Sequence, residues 1–214
     1  MPDAISDALQ RYSERYTSPE PSFLEQLNRD THLKMDQAQM LSGHVQGRFL
    51  ALFSRLLRPG RILEVGTFTG YSALCLAEGL SADGELHTID CNDELAATVR
   101  TTFEKSGYGP QIHFHLGKAL ELIPRIPGTF DLVFLDADKE GYGAYYDLVI
   151  DRIPSGGYLL ADNVLYHGEV LDAPENYSNN ARWIDAFNRK VRSDRRVEVL
   201  LLTLRDGLLI IKKN

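Results

Sequence analysis

From residue 61 onward, short apolar runs alternate with longer mixed stretches. RILEV (61–65), ELHTID (85–90), QIHFHL (111–116), DLVFLD (131–136), GGYLLAD (156–162), VEVLLL (197–202) and GLLIIK (207–212) are strand-length and punctuated by glycine, proline or polar residues. Helices are predicted between them, over about 70–80, 92–106, a short stretch ending at Pro124, 140–153 and 178–193. Alternating strands and helices predict a parallel sheet covered on both faces, which is why the strands are continuously apolar. Only Thr203–Asp206 separates the last two strands, so they are expected to form an antiparallel hairpin at one end of the sheet.

Before residue 58 the period is that of helices. Ile5, Leu9, Tyr12 and Tyr16 recur at spacings of three or four and define one helix face. Pro19 and Pro21 interrupt, Phe23, Leu24, Leu27 and Leu33 suggest a second helix, and a third runs near 39–57 until Pro59-Gly60 ends it. These N-terminal helices are expected to pack on the sheet or cap its ligand edge. The 214 residues contain no internal repeat, low-complexity tract or linker, so 1–214 is read as a single domain.

Charge narrows the function classes. The formal net charge of −7 argues against a nucleic-acid partner, which needs a basic surface. Two cysteines, Cys75 and Cys91, without CxxC spacing exclude a disulfide framework or zinc ribbon and fit a reducing compartment. No signal-peptide core and no membrane-length apolar run occur, so a soluble, cytoplasmic protein with no membrane partner is expected.

In an open parallel sheet, ligands bind beyond the carboxyl ends of the strands. The first strand delivers ILEVGTFTGYS (62–72), where Gly66 and Gly70 frame a tight turn that a ligand can approach, and Ser72 lies in the following helix. The turn is neither GxGxxG nor a P-loop. Glu64, acidic inside an apolar strand, suits a cationic ligand or a bond to backbone. Asp90 ends the second strand 24 residues after Gly66, where an acid can hold ribose hydroxyls or cap the next helix. The fourth and fifth strands end in LDADK (135–139) and ADN (161–163), which bring Asp136, Asp138, Asp162 and Asn163 to adjacent ends. Carboxylates plus an amide suit a hard cation such as Mg²⁺ or Ca²⁺, or two helix caps. Lys139 is placed to reach the same site as a base.

Together these residues resemble a known family. ILEVGTFTGYS, Asp90, FDLVFLDADK (130–139) and LLADN (159–163) look like the cation-dependent catechol and caffeoyl-coenzyme A O-methyltransferases, which use S-adenosylmethionine. The likeness covers about residues 40–214; FLDADK with a downstream Asp-Asn is its specific part, whereas the Gly66 turn is shared by most methyltransferases. It implies an α/β, Rossmann-like methyltransferase fold: a mostly parallel seven-stranded sheet with an antiparallel terminal hairpin, preceded by helices. It also implies that Glu64, Gly66, Ser72 and Asp90 bind the donor, with Met40, Ser42, Ala119 and Asp136 bordering it. Asp136, Asp162 and Asn163 would hold the metal, Mg²⁺ first and Mn²⁺ or Ca²⁺ otherwise, and Lys139 matches a proposed base. Tyr166 departs from the tryptophan that plant members often carry, nothing downstream is visibly suited to a coenzyme A ester, and residues before about 38 do not match.

The expected function is methyl transfer from S-adenosylmethionine to a hydroxyl of a small catechol-like acceptor, by a homodimer. The alternatives are a nicotinamide-dependent oxidoreductase on a similar sheet and a non-catalytic adenosyl-ligand binder. His113 and His115 share one strand face and read as ordinary strand residues, and His167 as a loop histidine. Tyr142, Tyr145 and Tyr146 read as packing, Trp183 and Phe187 as one buried helix face, and RKVRSDRR (189–196) as a solvated helix end.

Overall fold

The computed structural model describes residues 2–214, with side chains from residue 8 onward. Seven strands form one sheet: β1 (Arg61–Val65), β2 (Glu85–Asp90), β3 (Ile112–Leu116), β4 (Leu132–Leu135), β5 (Tyr158–Asp162), β6 (Val197–Leu202) and β7 (Leu208–Lys213). Their order is β3-β2-β1-β4-β5-β7-β6. The first five are parallel, and β7 inserts antiparallel between β5 and β6. Strand order reverses between β1 and β4, so the crevice for a ligand opens beyond Val65 and Leu135, which are register partners.

The helices are α1 (Pro2–Tyr16), α2 (Ser22–Lys34), α3 (Gly43–Leu57), α4 (Tyr71–Ala77), α5 (Ala96–Ser106), α6 (Ala119–Leu122), α7 (Tyr142–Val149) and α8 (Asn179–Ser193). One face of the sheet, with Leu63, Val65, Val133 and Leu135, packs on Tyr142, Tyr146 and Phe187 of α7 and α8. The other, with Ile62, Leu86, Leu132 and Phe134, packs on Leu50, Tyr71, Leu74 and Phe103 of α3, α4 and α5. This double cover accounts for the unbroken apolar runs.

Some expected elements shift. The helix predicted from residue 92 starts at Ala96, because Asp90 and Asn92 accept hydrogen bonds from the backbone two residues on and hold the chain in turns. Residues 139–152 form α7 flanked by 3-10 turns rather than one helix. On α1, Leu9, Tyr12 and Tyr16 are exposed, so among the described residues nothing covers this expected face; the Ile5 side chain lies outside the described residues. Phe187 is buried, but Trp183 one turn earlier is half-exposed, so the expected shared face is only partly used. In the 189–196 stretch, Asp194 is not simply solvated: it binds Arg196 and accepts from the Tyr146 hydroxyl.

Two polar clusters lie in this frame. Arg48 of α3 meets Glu78 at 2.5 Å, and Glu20 accepts a hydrogen bond from the Tyr71 hydroxyl, tying the N-terminal segment to α4. On β2 and β3, His87 stacks between His113 and His115, with ring centroids 4.9 and 5.3 Å away, and its Nδ1 lies 3.0 Å from His115 Nε2. Glu85 and Arg61 flank His87 at 3.2 and 3.0 Å. The two β3 histidines are therefore part of a packed trio. Both cysteines are free, Cys75 buried and Cys91 exposed. No helix among the described residues is long and apolar enough to cross a membrane.

Candidate active site

A cavity of about 1210 Å³ opens over the carboxyl ends of β1, β2, β4 and β5. Its first wall is the β1–α4 loop. Gly66 has φ 102°, and a Cβ there would lie 1.8 Å from the Asp136 carbonyl oxygen. Close approach of the neighbouring strand end demands this glycine, and Gly66 also lines the cavity, where a ligand can approach it. Asp90 organises the same loop: its Oδ2 accepts from Thr67 N (3.0 Å) and Phe68 N (2.8 Å), and its Oδ1 from Asn92 N (2.9 Å). Phe68 thereby adopts φ 48°, a left-handed conformation that is costly without support. Asp90 lines the cavity as well, so its carboxylate both builds the turn and faces the ligand.

Glu64 is fully buried beneath this wall. Its Oε2 accepts from Thr88 Oγ1 at 2.5 Å, and Oε1 has no hydrogen-bond partner among the described residues. Burial pushes its pKa up to about 8, against the pull of Ser72 and Thr88, with Asp136 and Asp90 adding repulsion. An orphaned, buried acceptor is costly unless a donor arrives, and Glu64 lies behind the cavity lining, next in sequence to Val65, which does line it. Ser72, Met40, Ser42 and Ala119 line the cavity around it.

The second wall is acidic. Asp136 follows β4 and Asp162 ends β5; burial and then their mutual repulsion raise the Asp162 pKa, and burial raises that of Asp136 against the charge of Lys139. Asp162 Oδ1 accepts from Asn163 N (2.8 Å) and Oδ2 from Gln46 Nε2 (2.6 Å). Asn163 has φ 56°, with its Nδ2 toward Asp206 and its Oδ1 accepting from Lys139 Nζ at 3.1 Å. Lys139 Nζ also donates to Tyr142 Oη at 2.8 Å and lies 3.6 Å from Asp136 Oδ1. Asp138 turns away: it caps Gly141 N and accepts from the Tyr145 hydroxyl.

A buried carboxylate, Asp162, and a half-buried one, Asp136, that repel each other, joined by an amide oxygen, fit a hard divalent cation. Among the described residues no group of three or more His, Cys, Asp or Glu is arranged to hold a metal, so this two-carboxylate, one-amide set is the candidate. The Lys139 ammonium already sits against Asp136 and Asn163, which demonstrates the site's attraction for positive charge.

The O-methyltransferase family profile matches residues 13–214. The chain belongs to the O-methyltransferase family. It is 33% identical to caffeoyl-CoA O-methyltransferase of Petroselinum crispum over 97% of this chain and 91% of the relative. It is 33% identical to the O-methyltransferase hkm8 of Aspergillus hancockii, over 92% and 90% of the two chains. Among solved structures, SAH-bound PaMTH1 of Podospora anserina superposes with a TM-score of 0.91 at 28% identity, covering 100% of this chain and 97% of that one. TomG of Streptomyces achromogenes, in complex with SAM, gives 0.88 at 26% identity, covering 97% and 96%.

Membership in the O-methyltransferase family favours neither the oxidoreductase nor the non-catalytic binder. The O-methyltransferase site also holds residues that sequence reasoning passed over. Gln46, wholly buried, reaches Asp162 from α3. Its signal was a polar residue four positions before Leu50, on the apolar side of that helix. Tyr142 is more than packing: its hydroxyl bonds Leu135 O and Asp162 O and accepts from Lys139, which fixes both strand ends relative to the lysine.

Proposed function

We propose that this O-methyltransferase moves the methyl group of S-adenosylmethionine to a hydroxyl of a catechol-like aromatic acceptor, with a divalent cation, most simply Mg²⁺, at Asp136, Asp162 and Asn163. The observation that carries the reading is the convergence of those three side chains and Lys139 in one cavity with Ser72 of α4 and Asp90 at the end of β2. The O-methyltransferase matches and the SAM- and SAH-bound neighbours support the donor.

In this reading Asp90 holds the ribose hydroxyls, Ala119 borders the adenine, and Met40 and Ser42 close the pocket from the N-terminal side. Glu64 with Ser72 receives the amino-acid portion. The cation, when bound, lowers the pKa of a coordinated hydroxyl. Lys139 stands beside the same oxygen ligands and takes or relays the hydroxyl proton. Tyr142 and Gln46 keep Lys139 and Asp162 in register. Alignment of two bound reactants contributes about 7–11 kcal/mol, so the chain needs no covalent nucleophile. A homodimer in the cytoplasm belongs to the same proposal, and the uncovered Tyr12, Tyr16, Leu52 and Leu56 offer it an apolar face.

The test is turnover of catechol with S-adenosylmethionine after exhaustive EDTA treatment and again after Mg²⁺ or Mn²⁺ is returned. Chelation is expected to abolish turnover and metal to restore it. Asp162→Ala should stay inactive while still binding S-adenosylmethionine by calorimetry. Full turnover after chelation would eliminate the metal, and absence of donor binding by the wild type would eliminate methyl transfer.

A further inference from the structure

Carboxylates outnumber cations around the cavity, and two of its three cations are placed for other tasks. Lys139 is engaged with Asp136, Tyr142 and Asn163. Lys118 precedes Ala119 on the donor side. Arg205 stands at the acidic end, in the β6–β7 loop.

That loop is held rigidly against the end of β5. Leu165 N donates to Asp206 O at 2.9 Å, Val164 N donates to Gly207 O at 3.1 Å, and the Asp206 carboxylate accepts from His167 N at 2.6 Å. Arg205 itself has φ 50°, a left-handed backbone that costs a non-glycine residue about 1–2 kcal/mol and persists where the surroundings enforce it. Among the described residues its guanidinium makes one hydrogen bond, at 3.3 Å to Gln39 O. Of the neighbouring carboxylates, Asp136 lies 3.6 Å from Lys139 Nζ and Asp206 accepts from the His167 backbone N–H.

A guanidinium carries five donors in a planar fork that matches a carboxylate. Here most of the fork is uncommitted, at the mouth of a cavity that otherwise repels anions. We propose that Arg205 selects an acceptor bearing a carboxylate across the ring from its adjacent hydroxyls, that is, a dihydroxylated aromatic acid. The proposal rests on the catechol-type reading of the site. The hydroxyls would lie toward Asp136, Asp162 and Asn163, and the carboxylate toward the Arg205 fork. A neutral acceptor would leave the fork without an anion.

Steady-state kinetics of the full chain, with S-adenosylmethionine and Mg²⁺, would compare protocatechuic acid with its methyl ester. The wild type is expected to prefer the acid in kcat/KM. Arg205→Ala should shrink that preference about 10–100-fold, mainly through KM, as expected for loss of a charge-assisted bond. Arg205→Lys should recover part of it. A wild type that prefers the ester, or an Arg205→Ala loss shared equally by both acceptors, would overturn the assignment while leaving methyl transfer to catechols standing. Turnover of neither acceptor, with S-adenosylmethionine bound, would overturn the catechol reading and this assignment with it.

Discussion

Replacing Asp90 with alanine separates two tasks that one carboxylate performs. Asp90 accepts three backbone N–H groups, from Thr67, Phe68 and Asn92, and it lines the donor end of the cavity. The Thr67 and Phe68 bonds are partly buried, whereas Asn92 is exposed and can turn to water. Because both N–H groups are only partly buried, each costs about 1–2 kcal/mol when stranded, in the lower part of the usual range, so Asp90→Ala should lose roughly 2–4 kcal/mol of stability. For a chain of this length, about 2–4 °C of Tm accompanies each kcal/mol, which gives a fall of roughly 5–15 °C. Loss of a charged bond to the ribose should also weaken S-adenosylmethionine about 10–100-fold. Asp90→Asn keeps one acceptor oxygen, so it should restore much of the Tm and less of the affinity. Differential scanning fluorimetry and calorimetric titration read the two quantities separately. An alanine variant with wild-type Tm would refute the loop-organising role, and one with wild-type affinity would refute the ribose contact.

Two further outcomes are expected. Lys139→Ala should lower kcat about 10²–10⁴-fold with ordinary catechols and much less with a nitro-substituted catechol, whose hydroxyl arrives ionised; equal losses on both would make Lys139 a positioning residue. At the histidine trio, burial holds the His87 and His115 pKa values below the ordinary 6.5, against Glu85 and with Arg61, His113 and Arg100 adding repulsion. The unfolded chain then takes up protons first, so the trio's contribution is complete above the unfolded value and is lost as pH falls through it toward the folded values. Urea unfolding at pH 5.5 and 7.5 should show that fall, and His87→Gln with His115→Gln should flatten it; an unchanged slope in the double variant would refute the cause.

The sheet was legible because β1, β2, β4 and β5 are buried on both faces and therefore largely apolar, a pattern that needs no knowledge of neighbours, whereas β3 at the sheet edge is only partly buried and alternates histidine with apolar residues. The acids at strand ends were legible for a related reason: Asp90, Asp136 and Asp162 each stop an apolar run. Other features depend on contacts that sequence order conceals. Gln46 meets Asp162 across 116 positions, and His87 joins His113 and His115 only because β2 and β3 lie side by side in that register. On α1, Tyr12 and Tyr16 announce a face through their spacing, but periodicity does not say what covers it, and they are exposed. Arg205 is one arginine in a short connection, and its place at the cavity mouth comes from the way the hairpin is pinned to β5.

The position of β7 between β5 and β6 bears on how each molecule is made. Synthesis delivers β5 and then β6, but β6 has no partner in the sheet until β7 follows. A nascent chain at that stage already carries Asp90, Asp136 and Asp162, while the edge of β5 is open and Leu200 and Leu201 of β6 are apolar and unpaired. Open edges of this kind invite pairing with other chains. Once β7 docks, both edges are paired and the loop bearing Arg205 and Asp206 is drawn against Val164 and Leu165. The end of the cavity beside Asp90 is thus assembled from earlier strands, and its acidic end is completed only when β7, made after β6, docks.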